Sequence, residues 1–412
     1  MEFIVSRNSI LRALNHTRHA ITKGDINVFK CFVFTFDDEE RLMTVHASNG
    51  SMWITETVVL DAPAKDARSI AVYYLDLLRP IKSLEEQPLR FIVGDSQMTV
   101  THSIGSFRLP LCNTAEEFLY YKRPNPDVEA KDGYYMEYEA PGLRSILSRC
   151  NFAMAQDELR PAMNGVYMNL TEDYSDYVSS DGHKLVRVRK SHIDCHGKES
   201  SLSFIIPSPV VKALLRMLPS TGDVEIEYQK EKRKKESKTD ATGHLRENPI
   251  TERQPAARIV IDDALTIAFN TVDSIYPKYW SVIPNHHSCE MLISRRALVK
   301  SVDRLSLFAT DAGLMKMTVT ADTVSLSTTD TDFEVGGDET LPCESKPNGG
   351  DVPVNLSIGM NCRNMAATLK ALTSERVALR FIDSSRAVIF HPVPQPDNEE
   401  ITILLMPMLC ND

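Results

Sequence analysis

Apolar positions along this chain follow two alternating rhythms, and the alternation repeats three times. Phe3-Ile4-Val5 precedes Ile10, Leu11 and Leu14; Met136-Glu137-Tyr138 precedes Leu143, Ile146, Leu147 and Cys150; Met291-Leu292-Ile293 precedes Leu298, Val302 and Leu305. Spacings of three, four and seven put each second set on one helical face, so each stretch predicts a short strand followed by an amphipathic helix. A similar half-module follows each, with helical faces at Tyr74, Leu77, Leu78 and Ile81, at Val210, Val211, Leu214 and Leu218, and at Met365, Leu369 and Leu372. Paired strands come next: 89–93 with 98–100, 224–228 with 259–261, and 377–381 with 387–390. A polar turn separates the halves, at Asn49-Gly50, at Asp181-Gly182 and at Asp330-Thr331.

A repeat of roughly 135 residues is too long for a solenoid unit, whose period runs from about 20 to 50 residues. Each copy is therefore expected to be a domain of two helices packed on antiparallel sheet, an α+β fold used three times. The expected domains are 1–131, 132–286 and 287–412. The middle one is lengthened by a charged insertion at about 229–258 containing the basic run Lys230 to Lys235, expected as a solvated hairpin tip.

Composition adds exclusions. No apolar run approaches the roughly 18 residues of a membrane span, and residues 1–14 lack a signal peptide's continuous apolar core. The eight cysteines are scattered without a CxxC pair, which points away from zinc or disulfides and towards a reducing, cytoplasmic setting. Neither GxxxxGK[ST] nor GxGxxG occurs, so no nucleotide cofactor is expected.

The net charge of −10 would argue against nucleic acid, but its distribution reverses that. Six windows around the expected helices (7–23, 73–84, 141–154, 208–218, 294–309 and 361–372) hold sixteen of the 46 basic residues. They hold only two of the 56 acidic ones, Asp76 and Asp303. Glutamate is as good a helix former as lysine, yet none falls in these windows. The segregation predicts a shared basic surface for double-stranded DNA, carried by Arg7, Arg12, Lys23, Arg79, Lys82, Arg144, Arg149, Lys212, Arg216, Arg296, Lys300, Arg363 and Lys370. Such contacts meet phosphates rather than bases, so binding should depend on salt and not on sequence. A compact domain of this size is roughly 36 Å across. Three such bodies in a ring would leave too small a hole for a duplex, whereas six, from two chains head to tail, would leave room for one.

With those features in view, the chain resembles the bacterial sliding clamp, the beta subunit of DNA polymerase III, over essentially its whole length. The specific marks are Met163-Asn164-Gly165, Ser180-Asp181-Gly182-His183-Lys184-Leu185, Tyr276-Pro277-Lys278-Tyr279 with Val282-Ile283-Pro284, and Leu404-Leu405-Met406-Pro407-Met408-Leu409. The resemblance implies a head-to-tail homodimeric ring with helices lining the channel. It further implies opening by a separate ATP-driven clamp loader and tethering of replicative and repair polymerases and other clamp-motif proteins, so this subunit would itself be non-catalytic. It implies a peptide pocket of Arg160, Met163, Ser180, Gly182, His183, Lys184, Leu185, Pro277, Val282, Leu404, Met406, Pro407 and Met408, and a dimer contact of Phe107 and Leu109 against Leu307 and Phe308. Two departures stand out: Pro161 and Ala162 follow Arg160 where aromatic residues are common, and Leu409 replaces a common basic residue.

Two alternatives belong to other classes. One is a non-circular DNA-associated scaffold. The other is a metal-dependent enzyme using Asp181 and His183, with His286 and His287. The repeat argues against the second, because the polar turn recurs at Asn49 and Asp330 without the histidine, as backbone geometry would require.

Overall fold

A computed structural model describes the chain except residues 22–26, 38–40, 122, 127–128, 130–132, 158, 192–194, 198–200, 231–236, 240–244, 248–254, 331–332, 349–354 and 411–412. The helices are α1 (Arg7–Thr17), α2 (Tyr74–Ser83), α3 (Ala115–Tyr120), α4 (Ala140–Asn151), α5 (Ser208–Met217), α6 (Arg295–Leu305) and α7 (Cys362–Ala371). Six are those expected from the spacing; the short α3 was not. The chain forms two compact units. One comprises Met1–Gly142, Asp194–Glu199 and Ala213–Thr271; the other comprises Leu143–Ile193, Ser200–Lys212 and Val272–Asp412.

The first unit holds a nine-stranded antiparallel sheet and a four-stranded one. In the four-stranded sheet, Glu2–Ser6 pairs with Pro88–Val93, and Gly105–Pro110 forms an edge. The second unit is built likewise, with Val335–Pro342 at the edge of its four-stranded sheet. No expected domain border interrupts a sheet. Leu265–Asn270 pairs with Met52–Val59, and Lys184–Ser191 pairs with Glu399–Leu405. Neighbouring repeats thus share continuous sheets, leaving no edge strand exposed at those seams.

Repeat-equivalent local rules form the helices. Ser6 caps α1 by accepting from Ser9 N, Ser294 caps α6 by accepting from Ala297 N, and Asn361 caps α7 by accepting from Asn364 N. The apolar faces are buried as the spacing requires: Ile10 and Leu14 in α1, Leu298 and Val302 in α6, and Met365 and Leu369 in α7 have no exposed surface. At the other end, the first arginine of one helix closes its neighbour. Arg7 Nε donates to Ile81 O at 3.1 Å and NH2 to Lys82 O at 2.8 Å, covering orphan carbonyls of α2. Arg295 does the same for Leu369 O and Ser374 O beside the end of α7.

The polar turns are alike as well. Asn49 Oδ1 accepts from Ser51 N and Met52 N, and Asp181 Oδ1 accepts from His183 N and Lys184 N. Gly50 and Gly182 follow at φ +90° and +91°, a region that glycine alone enters freely.

Candidate functional site: an apolar pocket and basic helices

Within the second unit, one face of the nine-stranded sheet carries Tyr167, Val178, Leu185, Ile205, Ile389 and Leu404 in one apolar cluster with Tyr276 and Tyr279. Cross-strand pairing sets this up, because Ser180 lies opposite Leu185 and Leu185 opposite Leu404. The segment 272–284 crosses this face, and its single helical turn Tyr279–Val282 stands up as a wall. Between wall and sheet lies a cavity of about 270 Å³, lined by Met163, Ser180, Gly182, His183, Lys184, Leu185, Tyr276, Pro277, Lys278, Tyr279, Val282, Ala387, Leu404 and Met406.

Ten residues expected for a peptide pocket are therefore brought together around one cavity. Three are not on its lining. Arg160 lies beside Gly182, where a Cβ would come within 2.9 Å of its NH1, and its Nε pairs with Asp157 at 2.9 Å. Met408 N donates to Gly359 O, which ties the tail past Pro407 to a neighbouring strand. Tyr276, Lys278, Tyr279 and Ala387 line the cavity unanticipated. Three of them sit in the motif that supplied Pro277, and its two tyrosines flanking Pro277-Lys278 were the available signal.

The tail Met406 is anchored through its N–H to His183 O at 2.8 Å, while its side chain is 45% exposed. Val282 is 57% exposed, whereas Leu185 and Leu404 are buried floor. The Lys184 charge on the lining is neutralised from below: its Nζ lies 2.5 Å from Asp181 Oδ2 and 3.3 Å from Asn364 Oδ1. Burial would raise the Asp181 carboxyl, but Lys184 and the two backbone amides outweigh it and hold the group below the ordinary range.

Asp181 is thus held by its turn and by Lys184. Among the described residues, no group of three or more His, Cys, Asp or Glu is placed to hold a metal ion.

The expected DNA residues separate into classes. Arg79, Lys82, Lys212, Arg216, Arg296 and Lys300 are exposed on their helices. Arg363 is exposed and donates to Asp311 O, and Lys370 is exposed and pairs with Asp303 at 2.8 Å. Arg12 is exposed but reaches the buried Glu56 at 2.8 Å, a carboxylate shared with His16 at 2.6 Å. Arg144 is half-buried with its Nε enclosed. Lys23 lies outside the described residues, as does most of the basic run 230–235.

Three of the expected contact residues are instead buried or engaged within the fold. Arg149 is buried, donating to Ser145 Oγ at 2.7 Å and to Glu399 at 3.0 Å, so its charge is spent inside its unit. Arg7 spends its guanidinium on the end of α2. Leu109, expected at a dimer contact, is only 7% exposed because it shares the inward face of its strand. Phe107 is half-buried, and Leu307 and Phe308 are 79% and 41% exposed.

Two family models match the chain. The model for the C-terminal domain of the DNA polymerase III beta subunit matches residues 280–409, and the model for its central domain matches 139–242, together more than half of the chain. The beta sliding clamp of Staphylococcus epidermidis is 21% identical, and that of Rickettsia bellii 19%, each alignment covering 99% of both chains. Among solved structures, the beta subunit from the DNA polymerase of Streptococcus pyogenes superposes with a TM-score of 0.82 at 16% identity. The beta subunit of DNA polymerase III from Pseudomonas aeruginosa superposes at 0.80 and 20%, both over 100% of each chain.

Proposed function

We propose, from the premise that this chain belongs to the DNA polymerase III beta subunit family of sliding clamps, that its apolar pocket captures short Leu- and Phe-containing segments of replication and repair polymerases. The chain is a processivity clamp and a non-catalytic subunit. In the proposal, two chains close head to tail around double-stranded DNA, a clamp loader opens them, and the exposed lysines and arginines slide on phosphates without reading bases. A polymerase that lets go of its template then stays beside it at high effective concentration. No described helix is long and apolar enough to cross a membrane, and eight free thiols suit the cytoplasm.

The observation that carries the proposal is the cavity between the Tyr279–Val282 wall and the Leu404–Met406 tail, apolar on its lining and open at Met406 and Val282. The dimer is supported by edge strands at Gly105–Pro110 and Val335–Pro342 and by exposed Leu307 and Phe308. The pocket is tested by titrating a short Leu-Phe peptide: Met406→Ala should abolish binding with the dimer intact on ultracentrifugation, and undiminished binding would refute it. The ring is tested on nicked circular DNA. The protein should stay bound and slide off once the circle is cut, and retention on linear DNA would favour a non-circular scaffold.

A further inference from the structure

The pocket wall is held from behind by a buried carboxylate. Asp176, in the strand Tyr174–Ser180, has no exposed surface. Its cross-strand neighbour is Arg189, whose Nε and NH2 donate to the two carboxylate oxygens at 2.7 and 2.8 Å. The Tyr279 hydroxyl donates to Oδ2 at 2.7 Å. Arg189 lies over the Tyr174 ring at 3.8 Å, which fixes the guanidinium from its far side. A buried charge is tolerated only when paired and hydrogen-bonded, and here one cation and one phenol meet that demand.

Tyr279 is the first residue of the wall turn and is itself 4% exposed. Its ring meets Tyr167 edge-on at 6.1 Å, and Tyr167 stacks on Tyr276 at 4.6 Å. Trp280, next in the turn, packs on Tyr279 at 5.2 Å and 81° and is 59% exposed. Packing alone would be served equally by phenylalanine at 279. The hydroxyl on a buried carboxylate adds a demand for position: if the turn moves away, Oδ2 loses a donor and the phenol is left buried without an acceptor.

We infer that Asp176 is a positioning residue for the pocket: clamped by Arg189, it pins the Tyr279 hydroxyl, so that Tyr279, Trp280 and Val282 stand as a preformed wall and an arriving peptide meets a cavity already open. This rests on the peptide-pocket reading above. An unpinned wall occupies the open form only part of the time, so apparent affinity falls by that fraction. The loss then lies in the association rate, because the peptide that does bind makes the same contacts.

The test uses the full-length protein with a fluorescein-labelled Leu-Phe peptide. Tyr279→Phe removes only the hydroxyl and keeps the ring, so it carries the test even if Asp176→Asn fails to fold. Association should slow roughly tenfold with dissociation unchanged, and the double variant should be no worse than either single one. A second readout needs no peptide. The chain has two tryptophans, and Trp53 is buried, so acrylamide quenching reports Trp280 and should increase in both variants.

Unchanged association and quenching in Tyr279→Phe would overturn the inference, even with a lowered melting temperature, since that is what a merely structural clamp would give. Failure of the unmodified protein to bind the peptide would overturn the pocket reading instead, and the quenching arm would still decide whether Asp176 positions the wall.

Discussion

Replacing Arg149 with methionine separates structural charge from DNA-binding charge on these helices. The Arg149 and Glu399 side chains are 9% and 11% exposed and lie 3.0 Å apart. Methionine keeps the apolar stem and removes the cation. Breaking a buried pair costs about 3–5 kcal/mol, because the remaining charge stays buried. Lys190 approaches Glu399 at 3.4 Å and stays behind as a partial counter-ion, which puts the loss at the low end, about 3 kcal/mol. In a unit of about 200 residues that lowers the melting temperature by roughly 6–12 °C. DNA binding should not respond. Anisotropy titration of a short duplex over a range of salt gives a log–log slope that falls by about one for each phosphate contact removed. Lys300→Ala should lose that amount, and Arg149→Met should keep the unmodified slope. A reduced slope in Arg149→Met at an unchanged melting temperature would refute the assignment.

Leu307→Asp, on a side chain that is 79% exposed, should yield folded monomers by ultracentrifugation, whereas Leu109→Asp should lower the melting temperature, being buried; dimers of Leu307→Asp would count against the proposed contact. Gly165→Ala sets a Cβ 2.2 Å from Ile206 O within a strand pair, so it should cost more than about 2 kcal/mol in denaturant unfolding, and a neutral result would be inconsistent with that register. His46 is held down to about 4 by burial and then by the Arg123 charge. The fold therefore keeps it neutral while the unfolded chain protonates near pH 6.5. Stability from this site is complete above about pH 6.5 and declines towards pH 4 by at most about 3 kcal/mol. His46→Gln should flatten that decline, and an unchanged slope would show that His46 is not its source.

The elements that were legible in the sequence are those set by local periodicity. Leu143, Ile146 and Leu147, and likewise Leu298, Val302 and Leu305, recur at helical spacing because a helix burying one face has little alternative, and all six are buried. The pocket was legible through the family resemblance, carried by three motifs and an apolar tail that had to be covered. What stayed hidden depends on distant partners. Arg144 and Arg149 look alike in sequence, and the carboxylate that distinguishes them lies 250 residues beyond Arg149. Asp176 reads as one polar position in a strand; its meaning comes from Tyr279, 103 residues on. Continuous sheets across the expected domain borders were hidden for the same reason, since strand pairing between repeats leaves no mark on either strand alone.

The arginines engaged inside the fold show by contrast what the proposed DNA surface requires. A surface that slides needs charge without a fixed, desolvated partner. Arg149 fails that condition through Glu399, and Arg7 through the end of α2. Lys370 meets it although it is paired, because its bond to Asp303 joins two exposed side chains and is worth little, so a phosphate can replace the carboxylate at small cost. Arg12 is intermediate, since its partner Glu56 is buried and cannot turn away into solvent. What passes is Arg79 and Lys82 on α2, Lys212 and Arg216 on α5, Arg296 and Lys300 on α6, and Arg363 and Lys370 on α7. Charge thus survives on helices from all three sequence repeats. Basic residues kept for capping or pairing would have been used up where the fold needs them; an exposed remainder in every repeat is what sequence-independent contact with a polyanion demands.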